Sequence, residues 1–146
     1  MSLASRLTRR VALVALLLLG SAASARAQGY KVIVNPANPA TKLSRSEVAA
    51  LFLKKTDRWS TGEVAAPIDL AEGTATRDAF TRGVLGKSTA AVKAYWNQMV
   101  FSGRNVPPPV KPSDADIVAF VRTTPGAIGY VAEATVVSGV QVVKVE

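Results

Sequence analysis

The chain opens with a basic stretch, MSLASRLTRR, followed by the apolar run VALVALLLLG and the small-x-small sequence ARA at Ala25–Ala27. That succession is the pattern of a secretory leader cut after Ala27. The apolar run is short for a membrane span. Thr8-Arg9-Arg10 touches the twin-arginine pattern, but Ala12 stands where that signal carries Phe, which favours ordinary secretion. Removing 27 of the 146 residues leaves 119 to fold. That is length for one domain around one hydrophobic core. The expected organisation is a signal peptide over 1–27 and a single domain over 28–146. The mature product is expected in the periplasm or secreted, with no membrane anchor.

This core must hold without covalent help. The chain has no Cys, so disulfides are excluded despite the export signal. It has no His either. Together these absences remove the usual zinc sites and every His-based triad. No cofactor is expected, and the acidic residues Glu63, Asp69 and Glu72 have no nucleophile or base beside them, so the chain reads as a non-enzyme. The formal charge is +8, and four of the arginines lie in the leader, which leaves +4 on the mature chain. That suits attraction of small anions but is a weak basis for nucleic-acid binding, and no nucleic-acid motif is present.

Hydrophobic periodicity and turn residues divide the remainder. YKVIVN, Tyr30–Asn35, reads as a strand. Ser44-Arg-Ser-Glu47 is a capping box that starts a helix with Val48, Leu51 and Phe52 on one face. EVAAPIDL, Glu63–Leu70, reads as one buried strand. A helix follows from about Ala75 to Leu85, with Phe80 and Val84 inward and Gly86 as its stop. Ser88 caps the next, whose apolar stripe is Val92, Tyr95, Trp96, Met99 and Val100. After the Pro-rich SGRNVPPPVKPS, Ser113 or Asp114 caps a third long helix with Ile117, Phe120 and Val121 inward. AIGYV and VQVVKV read as closing strands. The order β-α-β-α-α-α-β-β predicts an α/β domain, a sheet with helices packed on its faces.

The stretch IDLAEGTATRDAF, Ile68–Phe80, joins an apolar strand to a helix through a Gly turn with two threonines and an Arg. It supports two readings. In the first it is an anion cradle. A helix N-terminus presents unpaired N–H groups and the positive end of its dipole. Thr74 and Thr76 add hydroxyl donors, and Arg77 adds a charged fork for a tetrahedral oxyanion. Glu72 would accept the proton of a protonated oxyanion and so favour phosphate over sulfate. In the second, a threonine is simply the N-cap, Gly73 is a turn residue and Arg77 is a solvated first-turn charge. Elsewhere, Tyr95 and Trp96 read as core and rim, Lys54-Lys55 as a solvated helix end, and Trp59 as core or a partner contact.

Four stretches, VNPANPATKLSRSEVAALFLKKTDRW, EGTATRDAF, the YWNQMVFSG region and TPGAIGYV, together resemble the phosphate-binding proteins of ABC transporters. The resemblance runs from about Val34 to the C-terminus. It implies a single lobe of a type II periplasmic-binding-protein fold, a central sheet with helices on both faces. The family's full-length members close two lobes on the ligand, and this chain has length for about one. The family turn is close to Arg-Glu-Glu-Gly-Ser-Gly-Thr-Arg, and here it is Leu70-Ala71-Glu72-Gly73-Thr74-Ala75-Thr76-Arg77. Leu70 replaces a ligand-binding Arg, and Ala75 replaces the second Gly. By this resemblance the ligand-binding residues are Glu72, Gly73, Thr74, Ala75, Thr76 and Arg77. The implied ligand is phosphate or a similar small oxyanion, held weakly, with an ABC permease or other envelope protein as partner. The alternative is an interaction module of the cell envelope that has lost its ligand and binds another protein.

Overall fold

The computed structural model describes residues 29–146, so the leader expected over 1–27 lies outside the described residues. Strand β1, Tyr30–Val34, is central, as its β-branched run predicts. It pairs antiparallel with β6, Ala127–Ala132, and with β7, Gln141–Val145. Two short strands extend the edges. They are β2, Lys42–Leu43, parallel to β7, and β3, Ala66–Pro67, parallel to β6. The sheet order is β2-β7-β1-β6-β3.

Helices cover both faces, and consecutive residues of β6 show how. Side chains alternate across a strand. Gly129 faces helix α4, Asp114–Thr123, so closely that an added Cβ would lie 2.9 Å from Ile117 Cγ2. Tyr130 faces the other way and stacks on Phe80 of helix α2, Ala75–Phe80, with ring centroids 3.8 Å apart. Phe52, at the end of helix α1, Arg45–Phe52, meets Phe80 edge-on at 4.7 Å. Ile33, Val34, Ile117, Val121, Ile128 and Tyr130 are fully buried. The last carbonyls of α4 are satisfied from the sheet: the Asn35 amide donates to Val121, Arg122 and Thr124.

The capping residues behave as their chemistry predicts. Ser44 and Glu47 close a reciprocal capping box, and Ser88 and Ser113 each accept the amide three residues on. The helix expected over 75–85 runs as α2 and then widens into a π-helical turn, Thr81–Leu85, ended by Gly86 at φ 63.

Two readings need correction, and one open alternative is resolved. Glu63–Leu70 is not one strand. Pro67 cannot donate to a ladder, and the chain leaves the main sheet after Ile68 to form β4, Asp69–Leu70. This strand pairs in parallel with β5, Val110–Lys111, from the Pro-rich loop. The stripe of helix α3, Thr89–Phe101, is narrower than expected. Val92 and Trp96 are buried, but Val100, in the last turn of this helix, is 51% exposed. Trp59 is core and not a partner contact, for its ring is buried and its indole N–H donates to the Gly126 carbonyl at 2.9 Å.

Candidate functional site

The site is built where β4 leaves the sheet. Asp69 N donates to the Pro109 carbonyl, and Ala71 N to the Lys111 carbonyl, so the Pro-rich loop is tied to the start of the turn. The Asp69 carboxylate points inward. Its Oδ1 accepts the Leu70 amide at 2.9 Å and the Tyr130 hydroxyl in a very short hydrogen bond. Its Oδ2 lies 3.3 Å from the Arg77 guanidinium, whose other terminal nitrogen donates to the Leu70 carbonyl at 2.7 Å. Arg77 Nε is buried without a hydrogen-bond partner among the described residues.

Burial is the dominant electrostatic influence here. It pushes the Asp69 carboxyl above the usual aspartate range, against the opposing pull of Arg77 and of the hydrogen bonds from Tyr130 and Leu70. Burial, and then the neighbouring carboxylate, push the Tyr130 phenol upward, so it stays a donor to Asp69.

The expectation of an exposed Arg77 is therefore corrected, since Arg77 is 7% exposed. The reason is helical geometry. Arg77, Phe80, Thr81 and Val84 fall at i, i+3, i+4 and i+7, one stripe, and all four are buried. The spacing that sends Phe80 and Val84 inward sends Arg77 with them, and Asp69 at the strand end gives it a counter-ion. Leu70 is also buried, at 2% exposed, so this side chain does not stand at a ligand surface.

The outer side of the turn is different. Glu72, Gly73 and Ala75 are exposed, and Thr74 and Thr76 are partly so. Gly73 takes φ 86, which its missing Cβ permits, and the space around it is open. Thr74 is the N-cap. Its hydroxyl accepts the Arg77 amide at 3.1 Å and donates to the Ala71 carbonyl at 3.2 Å. The amides of Ala75 and Thr76 are those a helix leaves without an intrahelical acceptor.

Beside the turn lies a cleft of about 420 Å³, between β4, helix α3 and the Pro-rich loop. Asp69, Glu72 and Arg77 line one wall. Lys93, Trp96 and Asn97 of α3 line the second, and Pro107, Pro108 and Val110 the third. Sequence reasoning missed Lys93 and Asn97 as site residues. Their signal was the i, i+4 spacing around Trp96, which sets two polar side chains on the same helix face as an aromatic. Among the described residues there is no cluster of three or more potential metal ligands and no helix long and apolar enough to cross a membrane.

No protein-family profile matches the chain, and no curated protein does. Solved structures do. A phosphate ABC transporter substrate-binding protein from Clostridium perfringens, with bound phosphate, is 21% identical, with a TM-score of 0.63 over 80% of this chain and 44% of its own. An ABC-type phosphate transport receptor from Vibrio cholerae is 19% identical, with a TM-score of 0.63 over 80% of this chain and 46% of that one. PstS from Borrelia burgdorferi is 12% identical, with a TM-score of 0.61 over 81% and 47%. The chain spans under half the length of each of these proteins. At such identities the likeness concerns the fold. By that measure the chain has the α/β fold of a single lobe of the phosphate-binding substrate-binding proteins of ABC transporters.

Proposed function

We propose that this chain is an exported, single-lobe solute-binding module that takes phosphate or a related oxyanion at the Glu72–Thr76 turn. The observation that carries the reading is the open outer face of that turn. Exposed Gly73 and Ala75, the hydroxyl of Thr76, and the first amides of α2, shaped by the Thr74 cap, lie together at the carboxyl end of β4. Arg77 serves the turn from beneath, as a brace on Asp69 and Leu70. Lys93, exposed across the cleft, supplies the mobile cation. Glu72 accepts the proton of a protonated oxyanion and so distinguishes phosphate from sulfate.

Binding is weak because one lobe leaves the ligand open to water. The expected Kd is roughly 0.1–10 mM. A calorimetric and NMR titration of the purified protein with phosphate and sulfate tests this. Saturable shifts at Gly73–Thr76, stronger for phosphate, support it. No heat and no shift up to tens of millimolar would remove it.

A second reading, a protein-interaction module of the envelope with an ABC permease or another envelope protein as partner, has its own observation. Phe101 is 97% exposed, with Val100 and Val106 more than half exposed beside it in sequence. Loss of ligand binding in the titration, with retention of a partner through Phe101, favours that reading.

A further inference from the structure

We infer that the ligand is an organic phosphate monoester rather than inorganic phosphate, its phosphate on the turn and its organic group in the adjoining cleft. The inference rests on the proposed phosphate reading of the turn and adds the substrate class. The first argument is size. The cleft holds about 420 Å³. Pockets for small organic ligands run from about 300 to 1,000 Å³, whereas a water's share of liquid volume is about 30 Å³. A lone tetrahedral oxyanion fills a small part of such a space and leaves the remainder to water.

The second argument is wall chemistry. Beyond the turn, the cleft wall is formed by Trp96, Pro107, Pro108 and Val110, of which Pro107 and Val110 are exposed while Trp96 and Pro108 are largely buried. Val110 is 52% exposed and gains by being covered. Pro107 beside it is rigid, and Trp96 and Pro108 are fixed by their own burial, so the wall holds a compact apolar group at small entropic cost.

The third argument is continuity. Glu72 belongs to the turn and also lines the cleft, so the two adjoin at that residue. Lys93 and Asn97 stand on the α3 side, where a cation and an amide meet the remaining phosphate oxygens. Asp69 and Arg77 are already paired and leave the inner wall close to neutral.

The test compares inorganic phosphate, glycerol phosphate, phenyl phosphate and benzoate on the same protein by calorimetry. Phenyl phosphate is expected to bind at least about tenfold more tightly than inorganic phosphate, since covering even part of a ring removes several carbons from water. Glycerol phosphate, with a polar body, gains little. Trp96 lines the cleft and Trp59 does not, so a fluorescence change on adding phenyl phosphate reports Trp96. Trp96→Leu and Val110→Asn are both expected to bring the ratio of the two affinities toward one. Val110→Asn is the safer variant, because Trp96 is 7% exposed and its loss disturbs packing. Equal affinity for phosphate and phenyl phosphate overturns the inference and leaves the phosphate reading standing. Binding of neither overturns both. Benzoate binding as tightly as phenyl phosphate overturns it as well, for the cleft would then recognise apolar anions without regard to phosphate.

Discussion

The Glu72–Arg77 turn has an inner and an outer side, and the two use polar groups in opposite ways. On the inner side, Asp69, Arg77 and Tyr130 bond one another and the Leu70 backbone beneath the surface. On the outer side, Glu72, the two threonines and the first helical amides face solvent, with Lys93 and Asn97 across the cleft. The inner groups hold the turn in place and have little left to offer a ligand. The outer groups other than Thr74, whose hydroxyl is engaged as the N-cap, do little for stability and remain free to bind. A charged residue in a family-like motif therefore says nothing of binding until its direction is known.

Removing the inner cation should have the largest effect. Arg77→Ala leaves Asp69 buried without its counter-ion, and breaking such a pair costs about 3–5 kcal/mol. Chemical denaturation measures it. A loss below about 1 kcal/mol, the range of surface ion pairs, would return Arg77 to the outer class. Leu70→Arg belongs beside it, for it forces a second charge into the same buried layer and should destabilise rather than tighten binding.

Next in size is Gly129→Val. A Cβ there would meet Ile68 Cγ2 at 2.8 Å and Ile117 Cγ2 at 2.9 Å. Overpacking of this kind costs typically about 1–3 kcal/mol. Phosphate affinity of the folded fraction should not change, because Gly129 lies under α4 and lines no part of the cleft. A selective loss of binding with unchanged stability would break the inner–outer division.

Thr74 sits on the boundary and should move both readouts a little. Thr74→Ala removes a cap worth about 1 kcal/mol and one hydroxyl of the turn. Ser44→Ala removes an equivalent cap from α1, far from the turn in sequence. The pair separates capping from binding: similar losses in thermal stability are expected, with weaker phosphate binding in the Thr74 variant alone.

The smallest effect is a pH dependence from Asp69. Its folded pKa lies above the ordinary aspartate value because burial outweighs Arg77. In the window between those two values the folded state binds more protons than the unfolded state. This group's contribution therefore falls as pH rises through the window, opposite to the usual carboxylate. Carbon NMR of the carboxyl should show the raised midpoint, and Arg77→Met should raise it further. A midpoint below the ordinary value would mean that the ion pair, not burial, governs the site.

Much of the local structure was legible. Ser44 with Glu47, Ser88 and Ser113 marked helix starts because an N-cap depends on a side chain and an amide a few residues apart. Gly86 marked a stop for a similar reason, and the expected inward stripe of Phe80 and Val84 is buried. The break at Pro67 was visible in the missing donor but was masked by the apolar run around it. The strands β2 and β5, two residues each, left no periodicity to read. Trp59 and Val100 show the limit from both sides. One aromatic in a polar stretch is buried under a distant carbonyl, and one Val in an apolar stripe is left in solvent.

By itself the sequence determined where most helices begin and end, which residues prefer strands, and that a chain without Cys holds its core without disulfides. These depend on contacts within a few residues and on composition. The tertiary structure alone decided that Arg77 turns inward to Asp69 while Glu72 stays outside. It also decided that α3 and the Pro-rich loop close a cleft beside the turn. Asp69 and Tyr130 are 61 residues apart. Whether such a pair meets depends on how the strands order themselves in the sheet, and that order is set by the burial of the whole core at once.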